Sequence, residues 1–310
     1  MSDEQTPNDP SPAEPQLYFG QATEAVCRVY AAGIDAEAFG GQSPGLLYGP
    51  ESPCATTLRV RHPFVHRSDG AGVVEATIAE PCFWTPAAPY IYRYELHASP
   101  SAPATTGLFA IRRLQVLDDH LVFDRRRWVL RGALAEQAPD NAAGEMGLGR
   151  GDYAAPLAAW HETPLAAVVD RQSDALCELA SRLGVLLVAR VSPTRAVAEL
   201  RRLARWPAVG IAILDGLPAD FDPRPHARNM LFAEWVANDS PLRPAPWSQL
   251  LFGEVADPAA FARKIAGCSL PIVALRPCND WSGPDVARTA CDRLQRDLAA
   301  VGVQAAGYVV

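Results

Sequence analysis

No two cysteines in this chain are spaced as C-x-x-C, and the seven present (Cys27, Cys54, Cys82, Cys177, Cys268, Cys278 and Cys291) are odd in number. A zinc site and a complete disulfide framework are therefore not expected, and reduced, mostly buried thiols are. Basic residues form no long block, and 28 Lys and Arg against 35 Asp and Glu leave a net charge of -7. The chain thus lacks the electrostatic footprint of a nucleic-acid partner. No run of about 18 apolar residues is present, and the opening MSDEQTPNDPSPAEP is acidic and proline-rich rather than basic and then apolar. Neither a membrane span nor a signal peptide is expected, and the expected address is the cytoplasm. His62, His66, His97, His120, His161 and His226 show no metal-ligand spacing, so no metal is expected. The glycines of GEMGLGRGDY lack both the preceding strand and the following Lys-Ser/Thr of a phosphate loop. The segment reads as a flexible loop, and no cofactor is implied.

What remains is ample apolar material, 49% of 310 residues, enough for one large or two ordinary domains. Residues 1–15 carry four acids, four prolines and no base, the composition of a disordered tail. From residue 16 to about 124 the pattern has period two. Leu58 and Val60 oppose Arg59 and Arg61, and Val74, Ala76 and Ile78 oppose Glu75 and Thr77. In YIYRYEL, Tyr90, Tyr92, Tyr94 and Leu96 oppose Ile91, Arg93 and Glu95. Short alternating strands of this kind predict an antiparallel β-sandwich.

From residue 125 to 310 helical stripes alternate with short apolar runs. Ser173 is placed to cap SDALCELASRL, which Gly184 closes, and Asp257 with Pro258 opens a later helix. A last helix carries Val286, Ala290, Leu294 and Leu298 near one face and ends at Gly302. Eight strands are expected: RWVLRGA, LAAVVD, VLLVARV, AVGIAILD, NMLFAEWV, SQLLFGEV, LPIVALR and VQAAGYVV. Eight is the number a (β/α)8 barrel needs, although such barrels usually take about 200 to 400 residues. Some helices must be short or absent, notably at the proline-rich ANDSPLRPAPW. An open doubly wound sheet is the competing architecture.

The segment FWTPAAPYIYRYEL, followed by GLFAIRRLQVLDDHLVFDRRRWVLRGA, resembles glycoside hydrolase family 2, where an immunoglobulin-like domain runs into a TIM barrel. Trp84, Thr85, Pro86, Pro89, Tyr92, Ile111, Arg112, Leu130, Arg131 and Gly132 carry the likeness, which extends more weakly to about residue 220. The resemblance implies an immunoglobulin-like β-sandwich (16–124) before a compact, degenerate (β/α)8 barrel (125–310). Asp124 and Arg125 replace the family's Asn-Gly, and the cost of positive φ for Arg predicts a different turn. The family's leading jelly-roll domain has no room in residues 16–54.

Retaining glycosidases need two carboxyl groups roughly 5 to 5.5 Å apart. Carried over from the family, the acid/base position falls on Gly216 and Leu217 and the nucleophile on Leu275 or Arg276. Ala133, Leu134 and Ala135 stand where the family has Asn-x-His, and Arg190 ends the third strand where an acidic pair is usual. The resemblance therefore implies a catalytically inactive relative with a carbohydrate ligand or a protein partner. The alternative is an active retaining glycosidase built on relocated carboxylates: Glu234 with Glu254, and Asp170 and Asp215, at strand ends where barrel sites form. Arg190, Arg276, Trp160, His161, Trp235 and Trp281 are the candidate sugar-binding residues.

Overall fold

The computed structural model describes residues 15–67, 72–135, 153–277 and 283–310. Contacts divide the chain into two units, one formed by residues 1–50, 58–81 and 92–109, the other by 51–57, 82–91 and 110–310.

The first unit holds two four-stranded sheets. One runs in the order Gln16–Ala22, Val26–Ala32, Val73–Ala79, Val65–His66, the other Val60–Pro63, Gly45–Glu51, Ile91–His97, Ala104–Phe109. Period-two alternation builds its core. Cys27, Val29 and Ala31 stand in register with Ile78, Ala76 and Val74, and all six are at most 1% exposed. Tyr92, Tyr94 and Leu96 supply the buried face of the second sheet, and Phe19 meets Phe109 edge-on at 6.3 Å between the sheets. Leu58 and Val60 depart from the expected pattern, being 84% and 42% exposed. Val60–Pro63 is an edge strand, Leu58 precedes it, and Phe64 fills the core instead.

The second unit is a closed parallel barrel. Its strands are β1 (Leu130–Leu134), β2 (Ala166–Val169), β3 (Leu187–Val191), β4 (Val209–Leu214), β5 (Leu231–Val236), β6 (Leu250–Glu254), β7 (Ile272–Leu275) and β8 (Gly307–Val309). Seven fall within the expected segments and β1 runs one residue past its own, to Leu134, and closure excludes the open sheet. Following the register from Leu134 through Val168, Val188, Ile211 and Leu231 around the wall returns to β1 level with residue 126. That stagger of eight residues is the shear of a (β/α)8 barrel.

The helices are α1 (Ala154–Glu162), α2 (Asp174–Leu183), α3 (Ala196–Leu203), α4 (Pro258–Ile265) and α5 (Pro284–Ala299). Ser173 accepts the Leu176 N–H at 3.1 Å, and Gly184 closes α2 with φ 80°. Asp257 caps α4 through the Ala260 N–H at 2.7 Å. On α5 the buried stripe is Ala287, Cys291, Leu294 and Leu298. Leu294 and Leu298 are buried as expected, while in the first two turns the packed face runs through Ala287 and Cys291 instead of Val286 and Ala290, leaving Val286 37% exposed. Among the described residues no helix joins β4 to β5 or β5 to β6.

Parts of the family-like segments, residues 82–91 and those from 110 on, belong to this unit. Trp84 is fully buried, donates its indole N–H to the Ser181 carbonyl at 2.9 Å and stacks on Phe123 at 6.3 Å. Arg112 donates to the carbonyls of Pro207, Val209 (2.9 Å) and Asn229 (2.8 Å). The hairpin turn differs from expectation. Phe123 pairs directly with Arg126, and both Asp124 (φ 50°) and Arg125 (φ 63°) are left-handed. A two-residue turn with two positive φ values is the geometry Asn-Gly would give. The Arg113 guanidinium holds it by pairing with the Asp124 carboxylate.

Candidate site at the barrel mouth

Side chains paired in register on neighbouring parallel strands point to the same face, and successive residues alternate. This fixes which candidates can meet. Gly253 faces outward, since a Cβ there would lie 2.9 Å from the Phe261 ring of α4. Phe252 and Glu254 therefore face inward. Trp235 is opposite Phe252, Ala233 opposite Ile213, Ile213 opposite Arg190, and Ala189 opposite Val169. Asp170, Arg190, Asp215, Trp235 and Glu254 thus project from the C-terminal ends of β2 to β6 on the inner face.

The contacts agree. Arg190 bridges Asp170 at 3.2 Å and Asp215 at 3.3 Å, and its guanidinium lies 4.5 Å from the centre of the Trp235 ring. The other Asp215 oxygen accepts the Trp235 backbone N–H at 3.0 Å. Glu254 accepts the Trp235 indole N–H at 2.8 Å through one oxygen and the Asn238 N–H at 3.0 Å through the other. The cluster is open to solvent: Arg190 and Asp215 side chains are each 36% exposed and Asp170 47%. The Arg190 Nε is buried and has no hydrogen-bond partner among the described residues.

Glu234 lies on the other face. It is opposite Leu251 in the register, one residue out of phase with Trp235, and both its oxygens accept the Ala245 N–H, at 3.0 and 3.1 Å. Burial, with a smaller contribution from the Asp215 charge, raises its pKa above the ordinary carboxylate value, against the Ala245 hydrogen bond. Glu234 and Glu254 are consequently not brought together. Arg276 is also outward, tied to Asp297 of α5 at 2.7 Å and to the Val255 carbonyl at 3.3 Å. Trp160 is fully buried on α1, leaving no ring face open for stacking, and His161 follows it on the same helix. Trp281, Cys278 and the glycine-rich loop lie outside the described residues. Asn238 was not singled out in the sequence, because it acts through its backbone N–H. Among the described residues no cluster of His, Cys, Asp and Glu has the arrangement of a metal site.

No family model matches the chain, and no curated protein matches it in sequence. Solved structures do. Bacteroides uniformis β-glucuronidase 2, covalently bound to cyclophellitol-6-carboxylate aziridine, is similar over 95% of this chain and 45% of its own, with 12% identity and a TM-score of 0.60. Bifidobacterium dentium β-glucuronidase, complexed with coumarin-3-O-glucuronide, is similar over 96% and 59%, with 11% identity and a TM-score of 0.61. The β-D-glucuronidase of Dictyoglomus thermophilum is similar over 96% and 61%, with 10% identity and a TM-score of 0.59. The fold is glycoside hydrolase family 2-like. This chain spans less than two thirds of the length of each of these neighbours.

Proposed function

We propose that the barrel mouth binds a carbohydrate without cleaving it. The observation that carries this reading is the engagement of Asp170, Asp215 and Glu254, the inward carboxylates named among the described residues, with protein donors. The Arg190 guanidinium stands between Asp170 and Asp215, the space a scissile sugar and its attacking group require. Glu254 has both oxygens occupied. Retaining hydrolysis needs a nucleophile and an acid roughly 5 to 5.5 Å apart across an accessible bond. The relocated pair that would supply them, Glu234 with Glu254, faces opposite sides of the wall. Leu217 at the family's acid/base position and Leu275 or Arg276 at its nucleophile position support the same reading.

Binding is supported by what stays exposed. Planar, charged, hydrogen-bonding side chains suit sugar hydroxyls, and the side chains of Arg190, Asp170 and Asp215 are each more than a third exposed at the mouth. The neighbours with bound sugar-like ligands support a carbohydrate as the ligand class. The six described cysteines, all free thiols, fit a reducing compartment and the cytoplasmic address. No helix among the described residues is long and apolar enough to cross a membrane.

The test is thermal unfolding against a panel of monosaccharides, uronic acids and aryl glycosides. A ligand at a hundred times its Kd stabilises the native state by about 2.7 kcal/mol. The expected result is a saturable rise in Tm with at least one sugar, lost in Arg190→Met and in Trp235→Ala. An unchanged Tm across the panel overturns the binding role and leaves a barrel used for its outer surface.

A further inference from the structure

The absence of a helix between β4 and β5 has left space outside the barrel. Under the connection 215–230 lies a cavity of about 370 Å³. Its floor is apolar: Phe232 is 1% and Met230 6% exposed. Phe232 is two residues from Glu234 on β5 and shares its outward face, so the cavity lies on the opposite side of the wall from the Arg190 cluster.

The remaining lining is rich in donors. Arg224, Arg228 and Gln249 border the cavity, with Asp222 as the one carboxylate. Gln249 Oε1 already accepts the Phe232 N–H at 3.0 Å, which occupies the amide as acceptor and leaves its NH2 to donate. Asp222 Oδ1 accepts the Arg224 backbone N–H at 3.1 Å. Arg224, Arg228 and Gln249 thus line the cavity together with a single carboxylate, Asp222, above an apolar floor. The volume lies within the roughly 300 to 1,000 Å³ of small-molecule sites. Guanidinium is the natural partner for a carboxylate, because its fork of N–H donors matches both oxygens.

We propose that this outer cavity binds a small aryl or alkyl carboxylate, its apolar body on Phe232 and Met230 and its anionic group between Arg224 and Arg228. The site is separate from the barrel mouth and stands whether or not a sugar binds there.

Methionine supplies the reporter, since the chain has only three, Met1, Met146 and Met230. Protein labelled with 13C at the methionine methyls is titrated with benzoate, and the Met230 signal is assigned by its loss in Met230→Leu. The expected result is a saturable shift of that signal, with at least tenfold weaker binding of benzyl alcohol, the uncharged analogue of similar size. Arg224→Ala combined with Arg228→Ala is expected to weaken benzoate at least tenfold with Tm unchanged, a loss that one charged hydrogen bond suffices to cause. Arg190→Met is expected to bind benzoate as the wild type does. An unmoved Met230 signal overturns the proposal. So do equal affinities for benzoate and benzyl alcohol, wild-type binding by the double variant, or acetate binding as tightly as benzoate, which would mean an adventitious anion only.

Discussion

Arg112 is a buried cation held by three backbone carbonyls. Burial pushes its pKa down to about 10, still far enough above neutrality to keep it charged. Arg112→Met keeps the bulk and removes the donors, stranding the carbonyls of Pro207, Val209 and Asn229. At about 1 to 3 kcal/mol for each buried group left unsatisfied, a loss of about 3 kcal/mol is expected in urea unfolding; a loss below about 1 kcal/mol would show that relaxation re-pairs them. Arg125 presents the reverse case. Its left-handed φ costs a side chain about 1 kcal/mol or more, partly offset by the greater freedom of Gly in the unfolded chain. Arg125→Gly is expected to stabilise by about 0.5 kcal/mol, read as a small rise in Tm. Glu234 tests the pH dependence. Its folded pKa is raised, so the native state holds the proton more tightly, and the stability this contributes is complete below the unfolded value near 4.5 and lost as pH rises through the folded pKa. Glu234→Gln should flatten that fall in stability above about pH 4.5 while leaving sugar binding at the mouth intact. Lost sugar binding in that variant would contradict its outward placement.

At the scale of elements, caps were the most legible features. Ser173, Gly184, Asp257 and Pro258 mark helix ends by chemistry that acts within one turn, which is why neighbouring sequence suffices to read them. Asp257→Ala is expected to cost about 1 kcal/mol through the lost N-cap, measurable by denaturant titration; an unchanged stability would mean that Pro258 alone fixes the start. The site was only half legible. Period two in LFAEWV already separates Glu234 from Trp235, so their placement on different faces was available from local sequence. What local sequence does not carry is the stagger between strands, and with it which of Glu234 and Trp235 joins Glu254. The similar contexts LFAEW and LFGEV invited the wrong partner, and the register Trp235 to Phe252 supplied the right one. Arg276 shows the same limit: its position at the end of β7 is readable, while its capture by Asp297 depends on how α5 packs.

For the whole molecule, the strand count and the period changes pointed to a sandwich followed by eight parallel strands, because each is a repeated signal summed over many residues, while the choice of a barrel over an open sheet leaned on the family resemblance. The exposed edge at Leu58 and Val60 was not readable, since alternation identifies a strand but not its place in the sheet. Barrel closure is likewise a property of all eight strands together. The neighbours share this fold at 10 to 12% identity, and fold alone does not carry activity. The central claim concerns the mouth, where an arginine occupies the space between two carboxylates. The most direct measurement is release of p-nitrophenol from a set of aryl β-glycosides, including the glucuronide, by wild type and by Asp215→Asn and Glu254→Gln. The expected result is a wild-type rate no greater than that of buffer alone. Turnover by the wild type that falls at least a hundredfold in either variant, consistent with loss of a catalytic carboxyl group, would contradict a binding mouth and establish a working glycosidase.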